Sequence, residues 1–348
     1  MSGAIISNVT ERRSYTARDV ELAVLRTVYD VGKFAIVKQR ERPDFELAYG
    51  GSAKPFGVEI TEIYANESDA RLTNLDGYLQ ELWDGKPHRH RDDVEVLKTG
   101  PAKFLDKDGN VTGEFPVVMM EVTKIPSLPS LIAKRIDRKN GHITDYASGL
   151  THVNLVIHDR VSHSPPSADE VFDSNIFLSD ETRASLNSSS FNEVFLVSPV
   201  DGNSDQVVRP LRALALLEAG YGFMQAMTDA DGNAVESWID IHLLFIEICK
   251  GLGLDLRYVC DEKDGARAYF GGVGVQFHDN GMRLYELHNF PPPPAVDPPN
   301  LSIPADQAER LIGLGIEYFA DKVFSSAFGF PAVTRLSETI NAIIQAED

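Results

Sequence analysis

The first periodic stretch of the chain opens at Val20. Val20, Ala23, Val24, Thr27, Val28 and Val31 fall at i, i+3, i+4, i+7, i+8 and i+11, a spacing that predicts a helix with one buried face. Thr16 and Asp19 form a capping pattern ahead of it, and Glu21 stands at the edge of the apolar face. A short extended run, Phe34 to Val37, comes next. From Pro43 to Leu47 polar and apolar residues alternate as in a half-buried strand, Tyr49-Gly50-Gly51-Ser52 supplies a turn, and Phe56 to Tyr64 resumes the alternation. On this second strand Glu59 and Thr61 share one face, and Val58 and Ile60 share the other.

Residues 66–115 read as polar loops with some helix, and one stretch within them, Lys86 to Arg91, is basic and rich in histidine. Phe115 to Val122 is a further strand. Ser130 to Tyr146 is helical and locally basic, with Lys134, Arg135, Arg138 and Lys139 against Asp137 and Asp145. Two strands of buried type, His152 to Ile157 and Phe191 to Val197, are separated by a polar helical stretch. Helix, strand hairpin, helix, strand, helix and strand in that order predict an α/β sandwich with a mixed sheet flanked by helices.

Composition shifts at Ser198-Pro199-Val200-Asp201-Gly202-Asn203, which divides the chain into regions 1–200 and 201–348. The second region reads as α+β. It has helices near 207–227 and 235–251, and a hairpin of Ala266 to Phe277 with Met282 to Leu287 around Asp279-Asn280-Gly281. A polyproline spacer at Pro291–Pro294 and two terminal helices follow.

Charge narrows the function. The 348 residues carry 33 basic and 52 acidic side chains, a formal net charge of −19. Such a field repels phosphate at long range and argues against a nonspecific coat for DNA. It leaves room for a nucleic-acid enzyme, because a local basic groove or a divalent metal reverses the sign where contact is made. Cys249 and Cys260 make no disulfide framework, which suits a reduced compartment. Met1 to Arg13 lacks the apolar core of a secretory signal. The most apolar run, Ile239 to Cys249, is broken by Asp240, His242 and Glu247 and is far short of a membrane span. The expectation is a cytoplasmic protein with no membrane partner.

The chemistry concentrates in Arg42-Pro43-Asp44-Phe45-Glu46 followed by Gly57-Val58-Glu59-Ile60-Thr61. Two strands joined by a short turn bring Asp44 and Glu59 to the same end of a sheet. Carboxylates held that close repel, and one is protonated unless a cation sits between them. Mg²⁺ suits the position, since it takes oxygen ligands and keeps several waters.

These residues and the order of elements around them resemble the PD-(D/E)xK nuclease superfamily, with its restriction-endonuclease-like α-β-β-β-α-β core, over roughly residues 15–200. The resemblance implies a metal-dependent nuclease that hydrolyses phosphodiester bonds of nucleic acid, DNA in the first place. It also implies Mg²⁺ or Mn²⁺ held by Glu21, Asp44 and Glu59. Where the family places lysine, this chain has Thr61, which carries no charge with which to orient water. Lys139 and Lys134 on the basic helix are the candidates to replace it, with Lys38 behind them. Region 201–348 is expected to give substrate choice, protein-partner binding or a homodimer, because its helices at Leu211 to Met227 and Ile239 to Ile248 are apolar on most sides. The rival reading is a nuclease fold that has lost its lysine and serves in binding or assembly.

Other motifs carry less. His88-Arg89-His90 reads as a solvated or phosphate-facing surface, and His278 and His288 as structural residues flanking the hairpin. Gly271-Gly272-Val273-Gly274 lacks the following helix of a dinucleotide loop. No GxSxG elbow is present, and Cys249 on an apolar helix reads as core.

Overall fold

The computed structural model describes residues 17–30, 32–49, 54–121, 126–146, 148–161, 178–199, 206–229, 238–261, 265–278, 281–286 and 295–320. Helix α1 (Ala17–Val28) leads into three strands, β1 (Phe34–Gln39), β2 (Phe45–Tyr49) and β3 (Phe56–Ile63). The buried face of α1 is turned slightly from the expected one: Leu25 and Tyr29 join Val24 and Val28 in the core, while Ala23 is exposed. Thr16, Val31 and the Gly50–Ser52 turn lie outside the described residues.

An excursion follows, made of α2 (Glu67–Asn74), α3 (Tyr78–Trp83), α4 (Asp93–Val96), β4 (Leu97–Leu105) and β5 (Val111–Met120). Polar loops were expected over most of it. Instead β4 and β5 pair with each other as a two-stranded ribbon, Pro101 opposite Pro116, on a small core of Tyr78, Leu82 and Leu97. Gly100 and Pro101 give β4 the local look of a loop, and only its partner strand makes it extended. Fully buried Asp93 ties the helices together, accepting hydrogen bonds from Tyr78 (2.6 Å), Ser68 (2.7 Å) and Arg71 (2.6 Å).

The chain returns through α5 (Leu128–Asn140), β6 (Val153–Asp159), α6 (Asp180–Ser188), β7 (Val194–Pro199) and β8 (Gln206–Pro210). Ser127 caps α5, accepting from the Ser130 amide, and Arg138 and Lys139 stand in its last turn, where cations suit the helix dipole. The main sheet runs β1-β2-β3-β6-β7-β8. Its pairings are antiparallel for β1–β2, β2–β3 and β7–β8, and parallel for β3–β6 and β6–β7. The protein is therefore a mixed α/β fold with a mixed sheet flanked by helices.

Strands β3, β6 and β7 are buried almost throughout because both faces of the sheet are covered. On one face α1 packs over Phe56, Val58, Ile60, Val156 and Phe195. On the other, Ile63, Leu155, Ile157 and Leu196 meet Ile132 and Ile136 of α5. Edge strand β1 is exposed beyond Phe34, and its register slips between Ile36 and Lys38, an irregularity that blunts a free edge.

Strand β8 lies past the composition shift at 198–203, so the sheet runs on beyond it. After it come α7 (Leu211–Asp229), α8 (Trp238–Gly251), β9 (Arg257–Asp261), β10 (Gly265–Phe270), β11 (Val273–His278), β12 (Gly281–Glu286) and α9 (Ala305–Ala320). The last four strands form an antiparallel sheet in the order β12-β11-β10-β9. The expected single strand 266–277 is two strands, because Gly271-Gly272 is a turn: Gly271 has φ 62°, and a Cβ there would meet the Arg212 guanidinium at 2.6 Å. The hairpin expected around Asp279-Asn280-Gly281 pairs His278 with Gly281, its turn residues 279–280 lying outside the description.

Arg212 is buried, donates through Nη2 to the carbonyls of Leu186, Ser189 and Phe191, and stacks over Phe270, 4.6 Å from its centroid. The same cluster of buried residues runs from Ile63 to Leu311 and includes Cys249. The apolar demand of α7 and α8, from which a homodimer was expected, is met within the chain by α9 and the second sheet, leaving Met224 and Ile239 exposed. Pro291–Pro294, His288 and the last expected helix lie outside the described residues, and among those described no helix is long and apolar enough to cross a membrane.

Candidate active site

The antiparallel register that sets Phe45 opposite Val58 brings Asp44, the residue just before β2, beside the middle of β3. Asp44 Oδ2 accepts a hydrogen bond from the Ile60 amide at 2.7 Å. The close approach depends on Gly57, where a Cβ would stand 2.7 Å from Pro43 Cγ and 3.0 Å from Leu150 Cδ1. Pro43 can therefore pack directly on β3, and Asp44 follows it inward.

Glu59 is buried, and its two oxygens differ. Oε1 accepts from Lys139 Nζ at 2.5 Å, whereas Oε2 is buried and has no hydrogen-bond partner among the described residues. Lys139 reaches it because α5 buries Ile132 and Ile136, and position 139 continues the same stripe at i+7 and i+3. Lys134, two positions after Ile132, points to solvent, and Lys38 is exposed on the edge strand β1. Thr61 lies buried on the Glu59 face of β3 and carries no charge toward it.

Electrostatics bind these groups into one set. Burial raises the Asp44 carboxyl from 3.8 to about 7, with the charges of Glu59 and Glu21 adding to the rise and the Ile60 amide and Lys139 opposing it. Glu21, on α1, is also pushed up, by burial first and then by the charges of Glu59 and Glu62, against Arg18 and Lys139. Among the described residues, however, no three Asp, Glu, His or Cys side chains converge closely enough to hold one metal ion between them. Asp44 and Glu59 with Lys139 form the inner set, and Glu21 stands at its margin.

Several neighbours carried no sequence signal. Tyr146, just past the 3-10 turn Ile143–Asp145 that follows α5, has a buried hydroxyl with no hydrogen-bond partner among the described residues. Its phenol is pushed above the usual range by burial and by the charges of Glu59 and Asp44. Farther along β3, Glu62 takes hydrogen bonds from Arg160 Nε (3.0 Å) and from Tyr64, with His158 Nδ1 at 3.4 Å. Burial drives the Glu62 carboxyl up, but the approach of His158, Tyr64 and Arg160 outweighs it and holds the group at about 2. Arg135 is half-buried and makes no hydrogen bond or ion pair with a described residue. Burial and the charge of Arg138 both act against its proton.

The histidine-rich loop is committed elsewhere. His88 Nε2 lies 3.0 Å from the Leu97 carbonyl, and Arg89 pairs with Glu81 (2.8 Å) and covers the Tyr78 ring. Two open cavities of about 390 Å³ each lie away from the acids. One runs between Trp83 of α3 and Phe115 of the ribbon, and the other lies among Asn187, Asn192, Arg212 and Arg257.

Comparison with protein-family models, with curated proteins and with solved structures yields no match for this chain.

Proposed function

We propose that the chain is a metal-dependent nuclease hydrolysing phosphodiester bonds of nucleic acid, with DNA as the first substrate to test. The observation that carries this reading is the meeting of Asp44, Glu59 and Lys139: one carboxyl group at the entry to β2, one on its partner strand β3, and one ammonium on the helix behind them. It fits the restriction-endonuclease-like pattern, as does the order of helix, three antiparallel strands, helix and parallel strand, with the ammonium delivered from α5 instead of position 61.

Mg²⁺ or Mn²⁺ fits the acids. A cation offsets the burial and the charge of Glu59 that together drive Asp44 toward neutrality, and it gives Glu59 Oε2, which has no hydrogen-bond partner among the described residues, something to bind. Asp44 and Glu59 would hold it, Glu21 would add charge from the margin, and waters and phosphate oxygens would complete a coordination that needs few protein ligands. When bound, it neutralises charge on the scissile phosphate and acidifies water. Lys139 pairs with Glu59 and adds positive charge behind it. Arg135, one turn before Lys139, and Arg138, next to it in sequence, both without carboxylate partners among the described residues, receive the neighbouring phosphates of the substrate. Region 201–348 supplies substrate choice or assembly.

The second reading, a binding module on a nuclease-like scaffold, is favoured by Thr61 and by the lack of a three-ligand group among the described residues. Metal separates the two. Mn²⁺ is expected to raise the thermal midpoint of the wild-type chain and not of Asp44→Ala, and to support cleavage of plasmid DNA. A midpoint indifferent to Mn²⁺ in both proteins, with plasmid left intact, sinks the nuclease reading.

A further inference from the structure

The cavity of about 390 Å³ beside Arg212 is lined by the segment between α6 and β7, by α7, by β9 and by the β10–β11 turn. Its charged walls are Arg212 and Arg257 against Asp255, a local excess of positive charge in a chain of net charge −19. Arg212 is fully buried and its Nη2 is spent on three carbonyls, but Nε has no hydrogen-bond partner among the described residues. Buried polar atoms are satisfied in the great majority of cases, so this one calls for an explanation. Glu193, whose charge reaches Arg212, gives its oxygens to the amides of Val194, Arg212 and Ala213 instead. Gly271 lines the same cavity and leaves the Nε edge clear of a side chain, since a Cβ there would stand 2.6 Å from that atom. Arg257 is exposed, and its guanidinium makes no hydrogen bond or ion pair with a described residue. Ser189 Oγ accepts from the Phe191 amide at 3.2 Å and keeps its O–H to donate, and Ser190 beside it is exposed. Guanidinium and hydroxyl donors thus stand open around one cavity, and such a wall suits an oxyanion.

We propose that this cavity binds a phosphate monoester of nucleotide size. Arg257 and the hydroxyls of Ser189 and Ser190 receive the phosphate oxygens, and Arg212 Nε offers a further donor at the inner wall. A bare phosphate would leave most of the space empty, whereas cavities of a few hundred Å³ hold small organic ligands, so the phosphate carries an organic group. Asp255 at the same wall opposes the anion and sets a limit on its affinity. The cavity lies away from Asp44 and Glu59, and the site does not rest on the nuclease reading.

Calorimetric titration of the full chain in EDTA tests this, with dAMP, deoxyadenosine, inorganic phosphate and a 5′-phosphorylated oligonucleotide as probes. The nucleotide dAMP is expected to bind at least about 10-fold more tightly than deoxyadenosine, which lacks the charge-assisted bonds, and than inorganic phosphate, which lacks the organic part. Arg257→Gln should weaken dAMP by about 10-fold, and Asp255→Asn should tighten it a few-fold. Both side chains are exposed, so the thermal midpoint of each variant should stay at the wild-type value. Lys107→Gln makes the same charge change on the exposed β4–β5 turn and should leave the affinity as it is. Equal losses in Arg257→Gln and Lys107→Gln reduce the effect to overall charge and overturn the proposal. So does dAMP binding no tighter than deoxyadenosine, or no tighter than inorganic phosphate. The oligonucleotide names the source: affinity equal to that of dAMP supports the phosphorylated end of a strand as the ligand, and weaker binding supports a free nucleotide. No arm reads cleavage or metal, so a chain that binds dAMP and cuts nothing keeps this site and loses only the nuclease reading.

Discussion

Lys139 Nζ lies 2.5 Å from Glu59 Oε1, across a sequence separation of 80 residues. Glu59 is almost wholly buried, this ammonium is its charge partner inside the sheet, and the contact joins α5 to the middle of β3. Removing Lys139 acts on fold and chemistry together. Lys139→Ala is expected to lower stability by about 1–3 kcal/mol, the usual cost of stranding a buried partner. It should also abolish cleavage, while Lys134→Ala changes neither. Arginine at 139 should rescue poorly, because a planar fork does not replace a compact ammonium. Denaturant unfolding and plasmid cleavage of the three variants check this, and an inactive Lys134→Ala beside an active Lys139→Ala reverses the assignment.

The Asp44 carboxyl titrates at about 7 in the fold against an ordinary 3.8. Between those pH values the folded protein keeps a proton that the unfolded chain has lost, so this group's contribution to stability falls as pH rises through the window. A cation must displace the same proton. The Mn²⁺-induced rise in thermal midpoint should therefore be larger at about pH 8 than at about pH 6, because metal binding competes with protonation of its ligands. In Asp44→Asn both the metal response and its pH dependence should vanish; a rise of equal size at both pH values in the wild type contradicts the placement of metal at Asp44.

Gly57 is where Pro43 touches β3. Gly57→Ala should push Pro43 outward and carry Asp44 with it, costing about 1–3 kcal/mol, as overpacking a filled site does. Metal response should weaken more than stability does. A variant with normal unfolding and a normal Mn²⁺ titration shows that Asp44 is positioned by its bond to Ile60 alone.

Arg135 and Arg138 lie one turn apart on α5 and crowd each other's charge. If they hold phosphates, replacing both with glutamine should weaken DNA binding and flatten the plot of log affinity against log salt by about one unit for each lost contact. Fluorescence anisotropy across a salt series reads this directly, and an unaltered slope puts the substrate groove on another face.

Local pattern carried much of the outline. The 3.6-residue period marked α1, alternation marked β2 and β3, and runs of buried type marked β6 and β7, because each of these elements buries a face that its own residues spell out, while the helix at Ser130 to Tyr146 was read without a period. The same period would have separated Lys139 from Lys134, since only the former continues the stripe of Ile132 and Ile136. Strands β4, β8 and β9 were not legible in this way. Gly100 and Pro101 make β4 look like loop, and β8 and β9 are five-residue segments whose extended shape comes from their partner strands. The Gly271-Gly272 turn was masked by apolar residues on both sides.

Sequence alone determined that Asp44 and Glu59 belong to paired strands, because chain connectivity and alternation act over a few residues. Tertiary structure decided what surrounds them. The parallel pairing of β3 with β6 fixes where α5 lies, and so brings Lys139 to Glu59. It also decided their chemistry. The rise of Asp44 toward 7 comes from burial and from charges on other segments, and neither exists until the chain has folded.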